Sequence, residues 1–208
     1  MGLRNRVGIG LLVAALSGSA VAQPASVDEI AAKYIPFMSQ PVSQTLNPLN
    51  TVVREIGPND YDQKVYQSNK PSLVLFARND SRASMGIASV FRALAEHYHE
   101  KINFYLVQDD KWPRVSPGDG SLLGKQEGLI SGPSIIMYSS YDITNGKKAQ
   151  NSERAKRLDI FKGGLVQSDE FIVAHSILQE WITTNLLLTE NFVTRLNNSV
   201  TPTKIVLK

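Results

Sequence analysis

The 208-residue chain contains no cysteine. That absence excludes disulfide staples, thiolate nucleophiles and cysteine-ligated metal at once. Histidine is scarce as well, with His97, His99 and His175 the whole supply. His97 and His99 stand two apart, which turns them to different faces of a helix and makes no zinc pair. A surplus charge of one sign is also missing. Loss of Arg4 and Arg6 with a leader segment would take the 22 basic side chains to 20, against 19 acidic ones. Such a balance argues against nucleic acid or anionic lipid as the main partner. The apolar run from Val7 to Leu16 is about half the length that a membrane-spanning helix needs. Two motif comparisons fail. Gly120 to Gln126 is one residue short of a phosphate loop and puts Gln126 where a magnesium-holding hydroxyl belongs. Asp109, Asp110 and Asp119 lack the alternation of a calcium loop. The expectation is therefore no metal and no cofactor.

What is present begins with export. Arg4 and Arg6 precede the apolar run, and Ala20-Val21-Ala22 offers small residues before Gln23. This is the pattern of a secretory signal peptide over residues 1–22. The expected location is the periplasm, with full secretion as the alternative, and no stable membrane insertion after cleavage. In such an oxidising compartment a cysteine-free chain avoids mispairing.

From Thr51 onward the signals alternate between strand and helix. Thr51 to Ile56 is a β-branched run ended by Gly57-Pro58, and Asn59 or Asp60 is placed to cap a short helix with Tyr61 and Val65. Leu73-Val74-Leu75-Phe76 is apolar throughout, as a strand covered on both faces would be. Between Met85 and His99, Ile87, Val90, Phe91, Leu94 and Tyr98 recur with the period of one helical face. Ile102 to Val107 predicts a strand, Ser121 to Glu127 a helical piece, and Ile135 to Tyr138 a further strand. Arg157 to Lys162 completes a hairpin. Ser168 is placed to cap a long helix with Phe171, Ile172, Ile177, Leu178, Trp181, Ile182 and Leu186 on its apolar face.

Several residues carry a resemblance. Asp60-Tyr61-Asp62, Ser68-Asn69-Lys70-Pro71, the Leu73 to Phe76 strand, Gly128 with Pro133-Ser134, and Lys162-Gly163-Gly164 occur in the order of a thioredoxin. The chain from Thr51 to Leu187 resembles the thioredoxin-like family. The resemblance implies a three-layer α/β/α fold around a central mixed sheet, with Pro133 as the family's cis proline. It also implies that Ser81-Arg82-Ala83-Ser84 stands where that family carries Cys-x-x-Cys. On the same alignment Leu75 replaces the buried acid and Asp80 the flanking tryptophan, so the whole redox apparatus is missing. A hydroxyl does not ionise near neutral pH, whereas a thiol starts from a pKa of about 8.5.

Ser81 and Ser84 have two readings. Either they cap the helix that follows, or Ser81 is a nucleophile, which needs a base within reach. No spacing supports a triad, so no catalytic residue is expected. Pro133 keeps a use without sulfur, because the backbone before it can pair with an extended peptide; it also serves simply to shape the start of its strand. Gly132 leaves that backbone open. Trp112-Pro113, in a loop longer than the family's usual connection, is a contact anchor or a ring tucked onto the domain. The candidate partner surface is thus Ser81, Arg82, Ser84, Gly132, Pro133 and Trp112.

The domain reading is a signal peptide at 1–22, a helix and proline-containing arm at 23–50, a thioredoxin-like domain at 51–188 and a tail at 189–208. Pro36, Pro41 and Pro48 predict an extended or irregular Ile35 to Asn50. Lys147-Lys148, Arg154, Lys156, Arg157 and Lys162 gather in the hairpin, as a solvated loop or a dock for an acidic partner. The expected function is non-catalytic and rests on a protein partner or extended peptide: an adaptor, a chaperone-like protein or an envelope-assembly subunit. A component of a conjugation or type IV secretion apparatus is one alternative, drawn from the resemblance. A non-redox enzyme using the Ser81 loop is another.

Overall fold

The computed structural model describes residues 27–111, 123–124, 127, 129, 133–142, 147–148, 157–162 and 166–199. Five strands form the main sheet: β1 (Arg54–Glu55), β2 (Ser72–Ala77), β3 (Asn103–Gln108), β4 (Ser134–Tyr138) and β7 (Arg157–Lys162), in the order β1-β3-β2-β4-β7. β1, β3 and β2 run parallel, while β4 is antiparallel to β2 and β7 antiparallel to β4. β5 (Tyr141–Asp142) and β6 (Lys147–Lys148) make a separate small ribbon.

Every residue of β2 is buried, as the unbroken apolar run requires of a central strand. Alternate side chains therefore enter two cores. Leu73 and Leu75 meet α4 (Arg82–Tyr98) and α5 (Phe171–Ser199) on one face. Val74 and Phe76 meet Tyr61 and Val65 on the other. Helices on both faces of a mixed sheet give the three-layer, thioredoxin-like α/β/α architecture.

A further layer lies outside it. α1 (Val27–Tyr34), a 3-10 turn at Ile35–Ser39 and α2 (Val42–Thr45) pack on α4, with Ala31, Tyr34, Val42 and Leu46 buried in the same core. The arm is thus mostly helical, not extended. Pro36 sits in the first turn of the 3-10 segment and Pro41 immediately before α2, where a missing N–H costs nothing.

Other boundaries also shift. The Thr51 to Ile56 run gives only the two residues of β1. Gly57, not Asn59 or Asp60, precedes α3 (Pro58–Tyr61), which continues as a π turn over Asp62–Tyr66. The helix expected from Met85 starts at Arg82, and the β3 strand runs one residue later at each end. Gln167, not Ser168, caps the last helix. The Glu170 N–H donates to the Gln167 carbonyl at 3.0 Å, and the Glu170 side chain answers by accepting the Gln167 N–H at 3.0 Å. α5 then runs unbroken to Ser199, so a boundary at 188/189 falls inside a helix. Of its expected apolar face, Phe171, Leu178 and Ile182 are buried, but Ile172 and Ile177 are exposed.

Candidate functional site

The strand register assembles the site. Phe76 pairs with Ser134, so the β2 end that leads into Arg78–Ser84 lies beside the start of β4, where Pro133 is buried. Gly132 and Trp112 fall outside the described residues, as do Gly128, Gly163 and Gly164.

The two serines do different things, and neither does what a cap does. Ser81 holds the N-cap position of α4 in extended backbone (φ −80°, ψ 124°), but its side chain makes no capping bond. Ser84 is turned inward at 1% exposure, and its Oγ accepts the Arg78 N–H at 3.1 Å. It fastens the end of β2 to the first turn of α4. Arg82 is exposed and makes no ion pair among the described residues, whereas Arg78 lies 3.8 Å from Asp80. Leu75, at the family's acid position, is fully buried in the apolar core.

No imidazole approaches Ser81. His97 and His99 lie at the far end of a 17-residue helix, about 24 Å away at 1.5 Å per residue. His175 is buried against Phe171 with ring centroids 6.2 Å apart, and burial, aided by the charge of nearby His97, holds its pKa below the usual histidine value. It packs as a neutral core ring.

Asn79 is the residue that sequence reasoning missed. Its carbonyl accepts the Val42 N–H at 3.2 Å and its Oδ1 the Ser43 N–H at 2.9 Å. These are orphan donors in the first turn of α2, and Pro41 has no side chain able to take them. Asn79 therefore caps α2 from another part of the chain. Its own N–H donates to Asp110 Oδ1 at 3.3 Å, so the loop before Ser81 is held from both sides. The only local hint was an asparagine directly after a strand.

The arm is fixed again further along α4. Ser89 Oγ donates to the Tyr34 carbonyl at 2.6 Å, and Arg92 donates to the Thr45 carbonyl at 3.2 Å while lying 4.2 Å over the Phe37 ring. Glu96 collects Lys33 Nζ at 2.6 Å, the Tyr34 hydroxyl at 2.5 Å and Arg92 Nε at 3.3 Å. Burial alone would raise the Glu96 pKa, but these donors outweigh it and hold the carboxyl below its ordinary range.

Between arm and domain runs an open groove of about 620 Å³. Ile35 and Met38 form one wall, Met85 and Val166 the other, with Arg82 at the rim beside Ser81. Behind it, α4 and the Val166 turn touch backbone to backbone at Gly86. On the opposite face of the sheet, the Tyr66 and Tyr138 hydroxyls donate to the two oxygens of buried Glu127, and Arg157 donates to the Glu127 carbonyl at 2.7 Å. This clasp fastens the turn six residues before Pro133. Arg157 of the basic cluster is thereby structural; Arg154 and Lys156 lie outside the described residues.

These features define a class: a thioredoxin-like α/β/α architecture with serines in the loop between β2 and α4 and, having no cysteine, no dithiol chemistry. No protein-family model and no curated protein matches the chain. Among solved structures, it is similar to the Trx4 domain of ERdj5, with 16% identity over 64% of this chain and 98% of that one, at a TM-score of 0.42. It is also similar to the Malassezia sympodialis thioredoxin Mala s 13, with 19% identity over 64% of this chain and 90% of that one, at a TM-score of 0.44. The thioredoxin-like architecture itself rests on the strand order and registers given above.

Proposed function

We propose that this protein is an exported, non-catalytic binding module that receives a segment of another protein at the Ser81 face, as an adaptor, chaperone-like protein or envelope-assembly subunit. The observation that carries the reading is the disposition of the two serines. Ser84 is spent on the Arg78 N–H, and Ser81 stands a helix length from the histidines of its own helix. A loop so arranged offers shape and hydrogen bonds, with no histidine in reach to activate a hydroxyl.

The groove beside it favours binding. Methionine is an adaptable apolar side chain, and both Met38 and Met85 line the groove. Arg82 supplies a cation that no described carboxylate neutralises.

The test is a photo-crosslinking amino acid placed at Met85 in the full-length protein within its native cell. A discrete adduct with one partner, absent when the probe is moved to exposed Lys64, is the expected result. Adducts no different between the two positions would overturn the assignment of this face. A separate insulin-reduction assay should show turnover no greater than buffer.

A further inference from the structure

A second cavity, of about 400 Å³, opens at the other end of the sheet. Arg54, Lys70, Tyr105, Asn103 and His99 line it, and none of its lining residues is acidic. We propose that it binds a phosphate group carried by a small organic molecule or a lipid headgroup. This inference is independent of the Ser81 face.

Three donors converge there from three elements. Arg54 and Tyr105 are direct partners across β1 and β3, so their side chains leave the same face of the sheet. Arg54 makes no ion pair among the described residues, and the adjacent Glu55 is engaged by Lys111 at 2.7 Å. Its guanidinium keeps its full fork of donors. Tyr105 is 4% exposed and lines the cavity, and its hydroxyl, which makes no hydrogen bond among the described residues, keeps enough contact with solvent to exchange water for a ligand oxygen. Lys70 reaches in from the turn before β2, with Nζ donating to the Glu100 carbonyl at 2.9 Å and further hydrogens to spare.

The C-terminus of α4 faces this region and would ordinarily repel an anion. Three of its last carbonyls are already occupied. The Ala95 carbonyl accepts the His99 N–H at 3.0 Å, the Glu96 carbonyl His99 Nδ1 at 3.1 Å, and the Tyr98 carbonyl the Lys101 and Ile102 N–H groups at 2.9 Å. Lys70 adds a positive charge at the same helix end, bonded to the Glu100 carbonyl. Arg, Lys and a phenol set around one cavity suit a tetrahedral oxyanion, whose three oxygens give each donor its own acceptor. The volume exceeds that of inorganic phosphate, leaving space for an organic substituent.

The experiment is an amide NMR titration of the mature protein at low ionic strength, with inorganic phosphate and glycerol 3-phosphate against matched chloride. The expected result is saturable shifts confined to Thr51–Arg54, Lys70 and Asn103–Tyr105. Affinity should fall roughly tenfold or more in Arg54→Ala, the loss of one charge-assisted contact. Tyr105→Phe should weaken it severalfold, and both variants should keep the wild-type circular dichroism spectrum. Sedimentation with vesicles containing phosphatidylglycerol separates the sources: loss of pelleting in Arg54→Ala assigns a lipid headgroup, while soluble ligands alone shifting the amides assigns a free phosphoester. Flat responses in both arms, or shifts that survive Arg54→Ala, would overturn the site.

Discussion

Gly86→Ala puts two effects of opposite sign against each other. Gly86 lies within α4, where replacing glycine by alanine ordinarily stabilises a helix by about 1 kcal/mol. Here a Cβ would stand 2.8 Å from the Val166 carbonyl oxygen and 3.3 Å from the Val166 Cβ. The first contact is with backbone, so a rotamer change cannot relieve it; either α4 or the Val166 turn must move. Forcing an extra methyl into a packed contact costs about 1–3 kcal/mol. The clash prevails, and the net loss is up to about 2 kcal/mol. For a domain of this size that lowers the melting temperature by up to about 8 °C. Because Val166 lines the groove, the displacement should also shift amide resonances of Gln167 and Met38 beyond those around Gly86. Thermal unfolding by circular dichroism decides the sign. A variant that melts at or above the wild-type temperature would refute the close approach of α4 to the Val166 turn.

Asn79→Ala removes the acceptor for the Ser43 N–H and should loosen the arm by about 1 kcal/mol, read as faster hydrogen exchange at residues 42–46 with little change in β2 and β3. Ser84→Ala leaves the Arg78 N–H without its partner, and should cost about 1–2 kcal/mol in chemical denaturation. Acid should release the arm. The Glu96 pKa is depressed on folding, so its contribution is complete above the ordinary carboxylate value and is lost as pH falls through the lowered one. Lys33 is shifted upward by the same bond and matters in the opposite sense, its contribution fading only above its ordinary alkaline range. Exchange over residues 31–46, corrected for intrinsic rates, should rise between pH 7 and about pH 3, and Glu96→Gln should raise it at pH 7. Equal protection at both pH values would show that Glu96 does not hold the arm.

How far the sequence could be read depends on where each residue's partners lie. β2 was legible because an unbroken apolar run has one use in a layered fold, and α4 because Ile87, Val90, Phe91 and Leu94 repeat with its own period. The arm was misread because Pro36, Pro41 and Pro48 were weighed as breakers, although proline is compatible with the first turn of a helix. Its helicity depends on Asn79, Ser89, Arg92 and Glu96, none of which is local to it. Ser84 looked like a cap by type, but the bond it makes is to a strand end. Arg54 and Tyr105 became neighbours only through a parallel pairing that no short-range pattern encodes. The length of α5 past residue 188 was hidden because its polar composition matches that of a tail.

The capping of α2 by Asn79 has a consequence for the order in which the chain takes shape. The arm is made before the groups that hold it, which lie 36 positions further on at Asn79 and 63 at Glu96. A nascent chain that has not yet produced α4 has nothing for its own beginning to dock against, and an isolated four-residue helix does not persist in water. The arm is thus among the last parts of the protein to settle. Any fragment ending before Glu96 should carry the arm unfolded, whatever sequence it has.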